Sequence, residues 1–396
     1  MAGATTEFEP DVMDLLVETL RRAVRRELPV VGTDTLLGEL VSGDTDAGAA
    51  IAPGMRKSGS LSGLISGRAG RGWVSDDEAD GAPVPAGPDV EADREADERE
   101  VEAAWREAWW RLGLASGRSA PKSGRVQPAI TGALRGCLLL ALGSARAEGT
   151  ISVRCRHVAR ALLAVPDTRA REALLLERLD TAAAATALDR VDAAESEGVE
   201  SRGVTLLRRA GTVGKSGNRL SRALTSWTSL STVNGSPVLF AVSVEAVRQA
   251  VRCGRAAVEP ADLVLGMLAL DRALFVAGRS LPASLADVNS AVDLMRRHGA
   301  RQAALVSSAA ESRPAADVDS DKVWLSAAAD RIMAVARLSA AEHGSPTVGT
   351  VHLLLALLDA SEKDAGAAAG SAVVRLLAAE RVDVDALRSQ LSLRLA

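Results

Sequence analysis

Pro346-Thr-Val-Gly-Thr-Val-His-Leu-Leu-Leu-Ala-Leu-Leu358 aligns without a gap on Pro29-Val-Val-Gly-Thr-Asp-Thr-Leu-Leu-Gly-Glu-Leu-Val41. The two stretches share Pro, Val-Gly-Thr, a Leu pair and a later Leu. Asp-Ala-Gly-Ala-Ala follows in both, at 46–50 and 364–368, with one residue inserted between. Two further stretches fit the same mould: Val258-Glu-Pro-Ala-Asp-Leu-Val-Leu-Gly-Met-Leu268 and Val153-Arg-Cys-Arg-His-Val-Ala-Arg-Ala-Leu-Leu163. In each, Val is followed four residues later by a polar residue and then an apolar run. A unit that recurs in one chain decides the fold, because each copy leaves an apolar face that a neighbour must cover.

Upstream of each stretch the apolar residues fall in steps of three and four, the spacing of an amphipathic helix. They are Val12, Leu16, Leu20 and Val24; Ile130, Leu134, Leu138 and Ala141; Val244, Val247 and Val251; and Leu325, Ala328, Ile332, Val335 and Leu338. Thr33 and Thr350 are placed to N-cap the helix that follows, and Pro260 suits a first helical turn. Ala291–Leu305 resembles Ala372–Leu387 as a later helix. Each copy reads as roughly four short helices.

Composition agrees with an all-α fold. The 396 residues are 47% hydrophobic but only 2% aromatic, with no Tyr. Ala, Leu and Val favour helices, and strands want more aromatic and β-branched side chains. A formal net charge of -4 disfavours general attraction to nucleic acid. Three scattered cysteines, without a CxxC pair, fit neither a disulfide framework nor a zinc site. No apolar run approaches the roughly 20 residues of a membrane span. The N-terminus lacks a signal-peptide pattern, so a soluble, cytoplasmic protein is expected.

The Val-Gly-Thr-x-His-Leu-Leu-Leu-Ala-Leu-Leu stretch, followed by a small-residue helix, Leu-Leu, Val-Asp and Leu-Arg, resembles the Clp repeat. That repeat builds the N-terminal domain of ClpA/ClpC/ClpB-type unfoldases. The resemblance covers 10–56, 128–190, 240–305 and 323–396 and is closest over the last. It implies two pseudo-twofold helical bundles made from four Clp-N-like half-repeats. The first is expected over 8–190, interrupted by an acidic, partly disordered insertion at about 70–127. The second is expected over 237–396, after a basic flexible linker at 191–236. Asp76 to Glu102 holds twelve acidic and two basic side chains, a net of -10. Its second half, Val90 to Leu114, has helical character. Residues 201–222 hold six basic and no acidic side chains.

No catalytic, cofactor-binding or metal-binding residue is predicted. Gly211-Thr-Val-Gly-Lys-Ser216 lacks the first glycine of a phosphate loop, since Arg209 stands there. His157 and His352 occupy equivalent positions just inside a helix start and read as capping or packing residues. Neither a His-Glu-x-x-His nor a Gly-x-Ser-x-Gly pattern occurs. Some N-domains of the family bind phosphorylated arginine through an acidic residue after Gly-Thr and a nearby threonine. The corresponding positions are Asp34, Arg156, Ala261 and Val351, so only Thr33 and Asp34 are carried over as a peptide or phosphoarginine contact. Trp105, Trp109 and Trp110 are partner-binding candidates, because Trp is enriched at hot spots; the favoured reading is that they pack onto the first domain and complete its core.

The resemblance therefore implies a non-catalytic protein-binding module of the Clp degradation system: adaptor, competitor or ligand-sequestering homologue. Its expected partners are Clp unfoldase, protease, adaptors or substrates, and small-molecule or peptide ligands of Clp N-domains. The alternative is a helical regulatory or scaffold protein with an unrelated protein or nucleic-acid target. The basic stretch lacks the interleaved aromatics of a stacking platform.

Overall fold

The computed structural model describes residues 4–68, 72–75, 77, 88–115, 127–194, 200–213, 236–311, 323–363 and 368–395. The fold is all-α: twenty α-helices and six two-residue strands are described. The chain divides into two compact units, Thr6–Glu197 and Gly198–Ala396 with Met1–Thr5.

The first unit runs β1 (Glu7–Phe8), α1 (Pro10–Arg25), β2 (Val30–Val31), α2 (Thr33–Ser42), α3 (Asp46–Ile51), α4 (Met55–Ser58), α5 (Ser60–Arg68) and α6 (Pro88–Ala115). It continues through β3 (Ala129–Ile130), α7 (Gly132–Ala147), β4 (Ser152–Val153), α8 (Cys155–Ala164), α9 (Arg169–Leu176) and α10 (Thr181–Ala194). The second unit opens with α11 (Arg202–Arg209), α12 (Pro237–Arg252), β5 (Ala257–Val258), α13 (Pro260–Val276), α14 (Ala283–Ala286) and α15 (Ala291–Arg297). It closes with α16 (Gln302–Glu311), β6 (Trp324–Leu325), α17 (Ala327–Glu342), α18 (Thr350–Lys363), α19 (Ala368–Ala379) and α20 (Val384–Leu395).

One local geometry occurs four times. Helices α1, α7, α12 and α17 are each 16 residues long. Each is followed by a seven-residue connection (26–32, 148–154, 253–259, 343–349) before α2, α8, α13 or α18 begins. All four long helices stop in the same way. The N–H groups of Leu28, Thr150, Arg255 and Ser345 donate to the carbonyls of Ala23, Ala145, Ala250 and Ala340, at 3.0, 3.0, 2.8 and 2.9 Å. The residue before each donor is left-handed, as this closure requires: Gly149, Gly254 and Gly344 in three copies, but Glu27 at φ 53° in the first. A Cβ in that conformation costs roughly 1–2 kcal/mol, partly recovered because glycine is looser in the unfolded chain. Glu27→Gly is therefore expected to stabilise the first unit by up to about 1 kcal/mol, read as a rise in the urea midpoint at unchanged m-value.

The strands tie the copies together in parallel pairs. In the first unit β1 pairs with β4 and β2 with β3. Each strand entering a long helix thus pairs with the strand leaving the other one. In the second unit β5, which leaves α12, pairs with β6, which enters α17.

The apolar stripes match the sequence expectation in the first unit, where Val12, Leu16, Leu20, Leu134, Leu138 and Ala141 are buried. In the second they match only in part: Val251 and Ile332 are buried as expected. Val335 and Leu338 are exposed, the latter by 63%, whereas Ala329, Ile332, Met333, Ala336 and Ala340 are buried. In α12 the buried face holds Val242, Glu245, Ala246 and Gln249, with Val244 and Val247 only partly covered. In α17 it is Ala-rich, and the period alone does not distinguish a small-residue face from a large one.

Two parts expected to lie outside the bundles belong to them. Helix α6, within the acidic insertion, packs against α1 and α7. It buries Val101, Ala104, Trp105, Ala108 and Leu112 in the first unit's core. Asp97 is ion-paired with Arg146 of α7, and Glu100 accepts the Phe8 N–H at 3.2 Å. The basic stretch is corrected likewise. Its α11 buries Val204 and Leu207 and packs on α12 and α13. Glu245 of α12 accepts from Ser201 Oγ (2.8 Å) and Gly203 N–H (3.2 Å), receiving the N-terminal end of α11. The unit boundary consequently falls after Glu197 rather than at 236. The rest of the stretch, 214–235, lies outside the described residues, as do 69–71, 76, 78–87 and 116–126 of the insertion. Among the described residues, no helix is long and apolar enough to cross a membrane.

Candidate functional site

Val31-Gly32-Thr33-Asp34 ends β2 and opens α2. Thr33 was expected to N-cap this helix. Instead Gly32 is the N-cap residue and Thr33 the first helical residue, which frees its hydroxyl to reach across the unit. Thr33 Oγ1 accepts the Ala170 N–H of α9 at 3.0 Å and donates to Asp77 Oδ1 at 2.7 Å. Thr350 is corrected in the same sense. Its Oγ1 accepts the Ala291 N–H at the start of α15 at 3.4 Å, and its N–H donates to Asn289 Oδ1 at 3.1 Å. In both units a Gly-Thr copy thus satisfies an orphan amide on a helix of the other half. The Gly matters because the approach is close. A Cβ on Gly32 would lie 2.6 Å from Asp34 Oδ1 and 2.8 Å from Asp77 Oδ2; one on Gly349 would lie 2.0 Å from the Val288 carbonyl oxygen.

Asp77 is the residue sequence reasoning missed. It is 1% exposed and accepts four hydrogen bonds. They come from Thr33 N–H (2.8 Å), Thr33 Oγ1 (2.7 Å), Thr131 Oγ1 (3.0 Å) and Arg169 N–H (3.1 Å). Its carbonyl accepts the Ala133 N–H at 3.1 Å. One residue therefore serves the first turns of α2, α7 and α9. Inside a run of acidic residues nothing distinguished it from a solvated charge.

Asp34 lies beside this cluster, 4% exposed. Its Oδ1 finds no hydrogen-bond partner among the described residues. Burial pushes its pKa up to about 6, with Arg169 opposing the shift and Asp77 adding to it. The native carboxyl thus holds its proton to higher pH than the unfolded one. Between about pH 4 and 6 the unfolded state binds fewer protons, so this group removes stability as pH rises through that window. Asp34→Asn is accordingly expected to change little at pH 4 and to stabilise the first unit by about 1–3 kcal/mol at pH 8. Urea unfolding at the two pH values checks this; an equal effect at both would contradict it.

The position equivalent to Thr35 holds capping residues in the other copies. His157 Nδ1 accepts the Arg154 N–H at 2.8 Å, Asp262 Oδ2 the Glu259 N–H at 2.8 Å, and His352 Nδ1 the Gly349 N–H at 3.1 Å. His157 consequently carries its proton on Nε2 and donates it to Glu148 Oε2 at 3.0 Å. Burial, then His343, holds the His352 pKa below its ordinary value. Burial pushes the Cys137 thiol up to about 12, far from a reactive thiolate.

The three tryptophans lie on α6. Trp105 is 7% exposed, and its Nε1–H donates to the Pro128 carbonyl at 3.0 Å. Its ring is inside the first unit, which corrects its candidacy as a partner contact. Trp109 is half-buried against the same core. Trp110 is half-buried too, and its Nε1 is covered without a hydrogen-bond partner among the described residues.

No protein-family profile matches the chain, and neither does any curated protein or any solved structure.

Proposed function

We propose that the chain is a non-catalytic binding protein of the Clp degradation system, built from two pseudo-twofold bundles of Clp-N-like half-repeats. The supporting observation is the unit found four times: a 16-residue helix, a left-handed stop and a seven-residue connection. The reciprocal pairing of β1 with β4 and β2 with β3 supports the pseudo-twofold arrangement of the first unit. Its role is that of an adaptor, a competitor of the unfoldase's own N-domain, or a sequestering homologue. Its partners are a Clp unfoldase, protease subunit, adaptor or substrate, or the small-molecule and peptide ligands of Clp N-domains. The setting is the cytoplasm.

The test is affinity capture with the tagged full chain in its native cytoplasm. Enrichment of a Clp unfoldase, protease subunit, adaptor or degradation substrate over a control bait is expected. If a Glu27→Gly variant and the native chain both capture none of these, the reading fails.

A further inference from the structure

Three of the four long helices carry a further helix on their outer side. Helix α6 packs over α1 and α7, and α11 over α12. The common stop aligns the four, since Leu28, Thr150, Arg255 and Ser345 close equivalent bonds. In that alignment Asp14 of α1 is the counterpart of Arg331, and it pairs with Arg111 of α6 at 3.6 Å. Glu245 of α12 is the counterpart of Val335, and it receives α11. Leu338 stands where Arg21, Gly143 and Arg248 stand in the others, all three partly buried. Ala334 stands where Val17 is buried and Leu139 and Val244 are partly so. In α17 all these positions are exposed, Leu338 by 63% and Val335 by 40%. Among the described residues α17 packs on α18, α13 and β6, and no helix lies over it as α6 and α11 do elsewhere.

The charges around this face indicate what fits it. Ala327, Arg331, Ala334, Leu338 and Ala341 are all exposed and alternate in steps of four and three. That spacing makes one seam about 21 Å long, of the kind two helices share. Val335 and Glu342 flank the seam on one side, Asp330 and Arg337 on the other, and all four are exposed. A parallel copy of the helix would set each charge against its own kind. An antiparallel copy does the reverse. With Leu338 seated on Ala334 of the second copy, Arg331 faces Glu342 of the second copy and Asp330 lies on the side of its Arg337. The face is therefore complementary to itself in one orientation, and a two-fold axis repeats every contact. Alanines at Ala334 and Ala341 let the two backbones come close, while Leu338 supplies the apolar area that exposure now leaves in water.

We propose that the outer face of α17 is a self-association surface, on which a second copy of the chain packs its own α17 antiparallel. The seam is short, so the pair buries less than the roughly 1,200 Å² at the low end of standard interfaces, and a Kd of about 10–100 μM is expected. The inference rests on the face of α17 and not on the Clp relationship, so affinity capture and the experiment below fail independently.

The experiment is sedimentation velocity on the full chain from about 1 to 300 μM at low salt, a range that spans the expected Kd. The native chain should pass from monomer to mostly dimer. Leu338→Glu should remain monomeric throughout, with its Tm within about 2 °C of native because the side chain is exposed in the protomer. Arg331→Glu and Glu342→Arg should each weaken the dimer by at least about threefold, since each pair occurs twice. The two changes together should bring the Kd back to within about twofold of native. A native chain that is monomeric to the highest concentration overturns the proposal, as does a dimer that Leu338→Glu leaves intact. A double variant no better than the single ones overturns the antiparallel pairing, whatever Leu338→Glu shows.

Discussion

Trp105→Ala is expected to lower the stability of the first unit by about 3–5 kcal/mol. The residue sits in a segment whose composition reads as an insertion, so the size of the loss tests whether α6 is core or appendage. Trp105 is almost fully buried with Val101, Ala104, Ala108 and Leu112 on the same helix. Its Nε1–H satisfies the Pro128 carbonyl, and Gln127 Nε2 donates to the Trp105 carbonyl at 3.2 Å. These contacts fix the chain where it enters β3, which pairs with β2 and leads to the N-cap Thr131. Removing the ring therefore opens a cavity and loosens the start of α7 together. Trp105→Phe separates the two effects. It retains most of the ring but strands the Pro128 carbonyl, at a cost of about 1–3 kcal/mol. Denaturant unfolding with amide exchange resolved at α1, α6 and α7 measures both variants. A loss under about 1 kcal/mol for Trp105→Ala would place α6 outside the cooperative unit.

What the sequence made legible was periodic and local. The four long helices stand out because apolar steps of three and four recur, and because Gly149, Gly254 and Gly344 mark where three of them stop. The aligned His157 and His352 were readable as caps because a polar residue just inside a helix start has few other uses, and both accept the amide expected of a cap. Long-range partners were not legible. Thr33 carries the signature of an N-cap for its own helix, yet its hydroxyl is bound to α9 and to Asp77, 137 and 44 residues away. Asp77 itself was hidden by its acidic neighbours. Exposure of Val335 and Leu338 was hidden by the opposite effect: the wheel showed an apolar stripe, but packing chose the adjoining face of Ala329, Met333, Ala336 and Ala340.

Charge composition misled for a related reason. The excess of acid over 76–102 and of base over 201–222 suggested solvated segments, because like charges in sequence repel. In the fold those charges meet opposite partners from elsewhere in the same unit. Asp97 pairs with Arg146, Glu102 with Arg135, and Arg208 with Glu200. A charge run excludes burial only of its charged atoms. Between those atoms α6 and α11 each keep an apolar stripe at helical spacing, and that stripe decides where the segment goes.

The choice of small faces over large ones carries the second large prediction, which pits two identical substitutions against each other. Gly266→Ala in α13 is expected to destabilise the second unit by about 1–3 kcal/mol, and Gly143→Ala in α7 to stabilise the first by up to about 1 kcal/mol. Both glycines are inside helices, so propensity alone favours alanine at each. Gly143 has nothing within 4 Å of an added Cβ, and the propensity gain should appear undiminished. At Gly266 the added Cβ would lie 2.7 Å from the Val242 carbonyl oxygen, 2.8 Å from the Ala246 nitrogen and 2.9 Å from the Ala246 Cβ. The first two are backbone atoms of α12, so relief requires the two helices to separate rather than a side chain to rotate. Separation would uncover Val242, Ala246, Leu263 and Leu270, all buried now, and a dense core loses contacts steeply with distance. Gly266→Val should cost more than Gly266→Ala by the same argument. Urea midpoints for the three variants decide the matter: a shift of the same sign at positions 143 and 266 would mean that propensity, not the close approach of α12 and α13, governs the site.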